Sequence, residues 1–158
     1  MNVDPDTFRS VLGRFASGVT IVTAVDGARR DMGLTVSAFA SLSLTPPLVL
    51  VCIDHAASIH PVLIASTHFA VNILAADQEP LARRFSTLDG DRFDGVGYTR
   101  GQTGVAVLDE VLGCIECHKV HAIEGGDHTI FIGRVEAAHV RSATPLLYYR
   151  GGYAQLER

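Results

Sequence analysis

Hydrophobic and polar positions change their period several times along the chain, and each change marks an element. Residues 4–17 repeat at helical spacing: Phe8, Val11, Leu12 and Phe15 share one face, Asp4 stands at the N-cap, Pro5 takes the first helical position and Gly18 ends the run. Val19 to Val25 is β-branched and apolar, Asp26-Gly27 is a turn signal, and Met32 to Ser37 is again extended, which predicts an antiparallel hairpin with Arg29 and Arg30 in its loop. From there the hydroxyls of Thr35, Ser37, Ser41 and Ser43 alternate with Leu34, Val36, Leu42 and Leu44, so a continuous extended chain carries a polar ladder on one face. Pro46-Pro47 stops the ladder, and Leu48 to Ile53 is apolar at every position, as in a strand buried on both faces. Hydroxyls beside a dry strand suit a polar, planar, phosphorylated ligand; they equally suit a half-buried edge whose serines face water.

Downstream, Ser58 is placed to cap a helix running to about Ser66 with Ile59, Val62 and Leu63 inward. A capped helix start that follows a strand end can seat a phosphate on backbone N–H groups and the Ser58 hydroxyl, or can be an ordinary cap. Phe69 to Leu74 reads as a strand, and Asp77-Gln78-Glu79-Pro80 opens a helix with Leu81, Ala82 and Phe85 inward and Arg83-Arg84 outward. Residues 86–107, rich in glycine and charge, read as a long loop, with Arg92 its candidate for pairing with a phosphate and a solvated charge the alternative. Residues 111–124 and 128–140 form the clearest hairpin, turning at Glu124-Gly125-Gly126-Asp127 with positive φ expected at both glycines. A last hairpin over Leu146 to Leu156 offers tyrosines, Tyr153 among them, able to edge a flat ligand. Six to eight short strands with two or three flanking helices give a mostly β chain, a closed or partly closed antiparallel barrel.

At 158 residues the chain is expected to be one domain, residues 1–158, with a single core. Apolar residues make up 47% and charged residues 19%, a surplus that a second copy covers in a homodimer. Net charge is −4 and the basic residues come no denser than the pairs Arg29-Arg30 and Arg83-Arg84, which argues against nucleic acid. No apolar run approaches the roughly 20 residues that cross a bilayer, and the first six residues lack a basic start, so no membrane and a cytoplasmic location are expected. The three cysteines, Cys52, Cys114 and Cys117, are too few and too irregular for structural disulfides. Cys114-Ile115-Glu116-Cys117-His118 has the outline of a metal motif, but on a strand residues 114 and 117 point to opposite faces and no second cysteine pair follows; no metal is assigned. None of the seven histidines lies in a nucleophile-elbow or HExxH context, so hydrolysis has no support.

The segments Gly18 to Thr23, Gly33 to Phe39 and Ser41 to Val49 resemble the short-chain flavin reductases, the reductase components of two-component flavin-dependent monooxygenases. The match continues through Phe69 to Leu74, Phe85, Arg92-Phe93, Gly126-Asp127-His128, Ile132-Gly133 and Pro145 to Tyr153, nearly the whole chain in order. The resemblance implies a flavin-binding split barrel, six-stranded and of Greek-key type, homodimeric with two flavin sites at the subunit interface. It implies FMN or FAD as flavin, NADH or NADPH as hydride donor, and a separate oxygenase that receives the reduced flavin. By the same resemblance Leu34, Thr35, Val36, Ser37, Ala38 and Ser41 lie along the ring system and ribityl, and Val51, Cys52, Ile53, Asp54 and Ser58 wrap the ribityl and phosphate. Phe85 and Arg92 then close the phosphate end, and His128, which by its place after the Gly126-Asp127 turn equally suits a turn histidine hydrogen-bonded to the backbone, orients the nicotinamide. Ala38 departs from relatives that carry Ser or Asn there, which bears on flavin choice. A rival reading is a non-catalytic flavin-binding or flavin-storage protein on the same barrel. No fingerprint for the 2′-phosphate separates NADH from NADPH.

Overall fold

The β-branched runs become strands in the computed structural model, which describes residues 2–87 and 89–157. The elements in chain order are α1 (Pro5–Leu12), β1 (Ser17–Gly18), β2 (Thr20–Val25), β3 (Asp31–Val36), β4 (Phe39–Ser43), β5 (Leu48–Asp54), α2 (His60–Ala65), β6 (His68–Ile73), a 3-10 turn at Ala76–Gln78 and α3 (Glu79–Thr87). They continue as β7 (Tyr98–Arg100), β8 (Ala106–Leu108), β9 (Gly113–Gly125), β10 (His128–Val140), β11 (Leu146–Tyr149) and β12 (Gly152–Gln155). Seven strands make one antiparallel sheet in the order β3-β2-β6-β9-β10-β5-β4, one strand more than the resemblance implies. β1 joins β11 and β12 in a second small sheet, and β7 pairs only with β8. The outermost strands of the large sheet, β3 and β4, are separated in sequence by Ser37-Ala38 alone, so the sheet curls until its edges meet at that corner.

Side chains alternate across the sheet, and each face carries a core. One cluster gathers Val22, Val51, Ile53, Phe69, Cys117 and Phe131; the other gathers Ile21, Leu74, Phe85, Leu108, Cys114 and Leu146. Burying each of the three fully enclosed phenylalanines, Phe69, Phe85 and Phe131, contributes about 1.5–3 kcal/mol relative to exposure. Cys114 and Cys117 fall in different clusters, as the strand reading of that segment requires, and burial pushes both thiols up to about 12. Buried polar groups tie the β7–β8 hairpin to the sheet: Thr23 Oγ1 donates to the Ala106 carbonyl (2.7 Å), and Leu108 N–H donates to Asn72 Oδ1 (2.9 Å).

Several expectations change. α1 stops at Leu12 because Gly13 takes the C-cap, with its N–H on the Arg9 carbonyl, and the chain is already extended at Ser17-Gly18. Its apolar stripe is left largely uncovered: Phe8, Val11, Leu12 and Phe15 are all exposed. The hydroxyl ladder is not one strand, since the chain turns at Ser37-Ala38, where Phe39 N–H donates to the Ser37 carbonyl (2.9 Å). β5 is buried on one face only, with Val49, Val51 and Ile53 inward and Leu48, Leu50 and Cys52 half-exposed. Ser58 is not a cap; Pro61 draws the helix start to His60, leaving Ile59 at the N-cap. The stretch 86–107 is not a plain loop, because Phe93, Val105, Ala106 and Val107 are buried in it and β7 and β8 pair. Arg84 points into it, its Nε donating to the Arg92 carbonyl (2.6 Å) and its Nη2 to the Asp94 carbonyl (2.5 Å). At the β9–β10 turn only Gly126 has positive φ (67°); the last hairpin turns through Arg150 (52°) and Gly151 (78°).

Candidate functional site

β5 is the strand on which the predicted residues converge. On one side it pairs with β4, placing Phe39 opposite Val51, and the Cys52 N–H donates to the Ala38 carbonyl (3.0 Å). On the other it pairs with β10, placing His128 opposite Asp54. The corner residues Ser37 and Ala38, the strand end Cys52 to Asp54 and His128 therefore share one end of the sheet, although about ninety positions separate Ser37 from His128, while Ser41 stands opposite Val49 toward the other end of β5.

The turn after β5 carries this end toward a cavity. Asp54 Oδ1 accepts from Ala56 N–H (2.8 Å), an Asx turn that reverses the chain, and His55 N–H donates to the Asp127 carbonyl (2.9 Å). Ser58, exposed at the far side of the turn, lines a cavity of about 810 Å3 together with Gly33, Arg92, Arg29, Arg30 and Tyr98. Arg92 is braced rather than loose, with Nη1 on the Gly33 carbonyl (2.8 Å). Asp26, Asp31, Asp89 and Asp91 line it as well, and Arg30 is paired with Asp26 (2.9 Å), so the Ser58 hydroxyl and the Arg92 guanidinium are the donors best placed for a phosphorylated heterocycle.

Other expected contacts take different roles. Val36, Val51 and Ile53 face the core, so only their backbone is open to a ligand. Thr35 is committed to α3, its hydroxyl donating to the Ala82 carbonyl (2.6 Å), and Leu34 packs half-buried against the core. Phe85 is fully buried, edge-on to Phe93 at 5.1 Å, and acts from behind Gly33 rather than on a ligand surface. Tyr153 stands apart on β12, edge-on to Tyr148 (5.5 Å) and beneath the Arg83 guanidinium (5.0 Å).

His128 is half-exposed, and its Nδ1 lies 2.7 Å from Asp127 Oδ1. That hydrogen bond holds the Asp127 carboxyl below the usual range. A carboxylate only accepts, so Nδ1 carries the proton and Nε2 of the neutral ring is left as the acceptor. Beside it lies a network that spacing did not reveal. The Thr129 hydroxyl, fully buried, donates to Glu124 Oε1 (2.9 Å) and accepts from His60 Nε2 (2.8 Å), while His55 Nε2 reaches Glu124 Oε2 (2.7 Å). The bonds from Thr129 and then His55 lower the Glu124 carboxyl. The network locks the 54–60 turn to the β9–β10 hairpin; no sequence signal marks it, because its members meet only once β5 and β10 are in register.

The chain is similar to proteins of known kind. A family model described as flavin reductase like domain matches residues 12–157. The FMN reductase (NADH) SmoA of Agrobacterium fabrum is 41% identical over 96% of this chain and 86% of its own length. The flavin-dependent monooxygenase reductase subunit HsaB of Rhodococcus jostii is 39% identical over 98% of this chain and 80% of its own. Among solved structures, the NADH:FAD oxidoreductase of Streptomyces globisporus in complex with NAD and FAD fragments matches with a TM-score of 0.92 at 36% identity, covering 99% of this chain and 97% of that one.

Proposed function

The chain belongs to the flavin reductase like family, and on that premise we propose how its residues serve the reaction. It is an NAD(P)H:flavin oxidoreductase that supplies reduced flavin to a partner monooxygenase. A bound flavin takes the hydride on its own ring, so the protein's task is to bind, orient and exclude water. Ser58 and Arg92 hold the phosphate at the cavity, with Gly33 fixing the Arg92 guanidinium. Ser37, Ala38 and Ser41 and the backbone from Val51 to Asp54 line the ribityl and the ring system. His128, its tautomer fixed by Asp127, accepts a hydrogen bond at Nε2 from the nicotinamide carboxamide. No general base is required, because hydride transfer leaves no substrate proton for one to remove.

The observation that carries this assignment is the meeting of three distant segments, 37–38, 51–58 and 126–128, at one end of β5. We further propose that the curled sheet is the split barrel of a single unit over residues 1–158, supported by its two edges meeting at Ser37-Ala38. The exposed stripe of α1, with Leu42 and Leu44, is covered by a second copy in a homodimer. A cytoplasmic location is part of the same proposal; no helix among the described residues is long and apolar enough to cross a membrane.

The test is direct. Purified protein given flavin and NADH or NADPH under air, with no aromatic substrate, oxidises the nicotinamide nucleotide continuously. Failure with both nucleotides and with both FMN and FAD overturns the assignment. A retained yellow flavin unreactive toward nicotinamide selects the storage protein instead.

A further inference from the structure

Several residues along β10 from His128, strands β6, β9 and β10 bring together three side chains that the redox chemistry does not use. His68 and His118 are direct cross-strand partners, so both imidazoles rise from the same face, edge-on with centroids 5.1 Å apart. β10 pairs Arg134 with His118 and then bulges between Val135 and Ala137, which inserts Glu136 as an extra residue beside the two histidines. The Glu136 Oε2 lies 3.7 Å from His68 Nε2, and one donor atom from each of the three residues lies within 4.8 Å of the others. His68 is further oriented by a hydrogen bond between its Nδ1 and the Thr67 hydroxyl (2.9 Å), which turns Nε2 toward Glu136.

We propose that His68, His118 and Glu136 bind a divalent transition-metal ion, with zinc the reference case. Two imidazoles and one carboxylate are the donors such ions select, whereas magnesium and calcium favour all-oxygen sets. Donors around tetrahedral zinc stand about 3.3 Å apart, given bonds of about 2.0 Å. Small side-chain rotations close the observed separations to that figure. The Thr67 hydroxyl supplies the outer contact that ligating histidines characteristically have on their second ring nitrogen. Water fills the remaining position, since His68 and His118 are half-buried and Glu136 is exposed. The ion ties three adjacent strands together at the point where the bulge interrupts their ladder. Cys114 and Cys117, though near in sequence, take no part: both are enclosed in the cores with their thiols protonated. Arg134, paired with His118 and exposed on the same face, is screened by solvent.

The experiment is calorimetric titration of the chelator-stripped full chain with zinc chloride, repeated with magnesium and calcium chloride. The expected result is one zinc per chain, a melting temperature that rises with zinc, and no response to magnesium or calcium. His118→Gln and Glu136→Gln each weaken zinc binding at least tenfold and abolish the zinc-dependent rise, while keeping the parent's circular dichroism and melting temperature in chelator. His121→Gln, at an exposed position farther along β9, binds as the parent does. Absence of saturable zinc binding overturns the proposal, as does parent-like binding in the Glu136→Gln variant, whose exposed side chain is not needed for folding.

Discussion

His128 begins β10 directly opposite Asp54, the last residue of β5, and its Nδ1 lies 2.7 Å from Asp127 Oδ1. The ring is therefore held at the strand end by its neighbour while Nε2 is left as the acceptor. If Nε2 orients the nicotinamide, His128→Ala lowers kcat/KM for the nucleotide roughly five- to thirtyfold, the worth of one neutral hydrogen bond of about 1–2 kcal/mol. Flavin affinity stays at the parent value. Stopped-flow reduction with NADH and with NADPH, alongside a separate flavin titration, measures both; unchanged reduction kinetics remove His128 from the site.

The Phe85 ring occupies the space that a Cβ on residue 33 needs, with Phe85 Cε1 2.5 Å from that position. Gly33→Ala must displace a fully buried phenyl packed against Phe93, and is expected to cost about 1–3 kcal/mol. Gly27→Ala, where an added Cβ meets nothing within 4 Å, should stay within about 0.5 kcal/mol of the parent. Denaturant midpoints at constant slope compare the two. Because the Gly33 carbonyl holds Arg92, the same substitution should also weaken binding of FMN.

Phe15 is 82% and Val11 63% exposed, and α1 has no buried residue. A dimer that covers this face is expected to bury more than about 2,000 Å2 in total. Light scattering of the parent should give twice the chain mass at micromolar concentration, and Leu12→Glu with Phe15→Glu should halve it without changing circular dichroism. A parent that scatters as one chain contradicts the dimer.

Burial holds the thiols of Cys114 and Cys117 near 12, so at pH 8 both remain protonated and unreactive. Iodoacetamide should label neither until the protein unfolds. Cys52 is half-buried, its thiol also raised by burial, and should label slowly in the native state. Peptide mass spectrometry after timed labelling distinguishes them; labelling of Cys114 as fast as Cys52 would show that β9 opens locally.

Elements whose signals are local were legible in the sequence. Asp4 and Pro5 start α1, Gly126 turns the β9–β10 hairpin, and three-residue spacing on a strand sends Cys114 and Cys117 to opposite faces. What was misread depended on partners remote in sequence. Phe15 extends the helical period beyond the end of α1, since apolar positions answer to whatever covers them and not to the helix alone. The corner at Ser37-Ala38 carries neither glycine nor proline, so alternation ran straight through it. Glycines at 90, 95, 97, 101 and 104 hid the β7–β8 hairpin, whose place is set by Asn72 and Thr23 from strands far upstream. Within the candidate site the residue types were readable; their division into side chains that face the cavity, backbone that passes it and rings that support it came from register and burial.

β6 has a mechanical consequence for how the sheet opens. It pairs with β2 through Thr20↔Ile73 to Thr23↔Ala70 and with β9 through His68↔His118 to Ile73↔Gly113, so within the large sheet it alone stitches the β2–β3 hairpin to the four strands on its other side. Its backbone amides can meet solvent only when that seam parts, whereas amides of the outer strands β3 and β4 can be reached by fraying. Deuterium exchange should therefore be slowest at Phe69 to Asn72, at the rate of global unfolding, and the sheet should separate along this strand as one cooperative event.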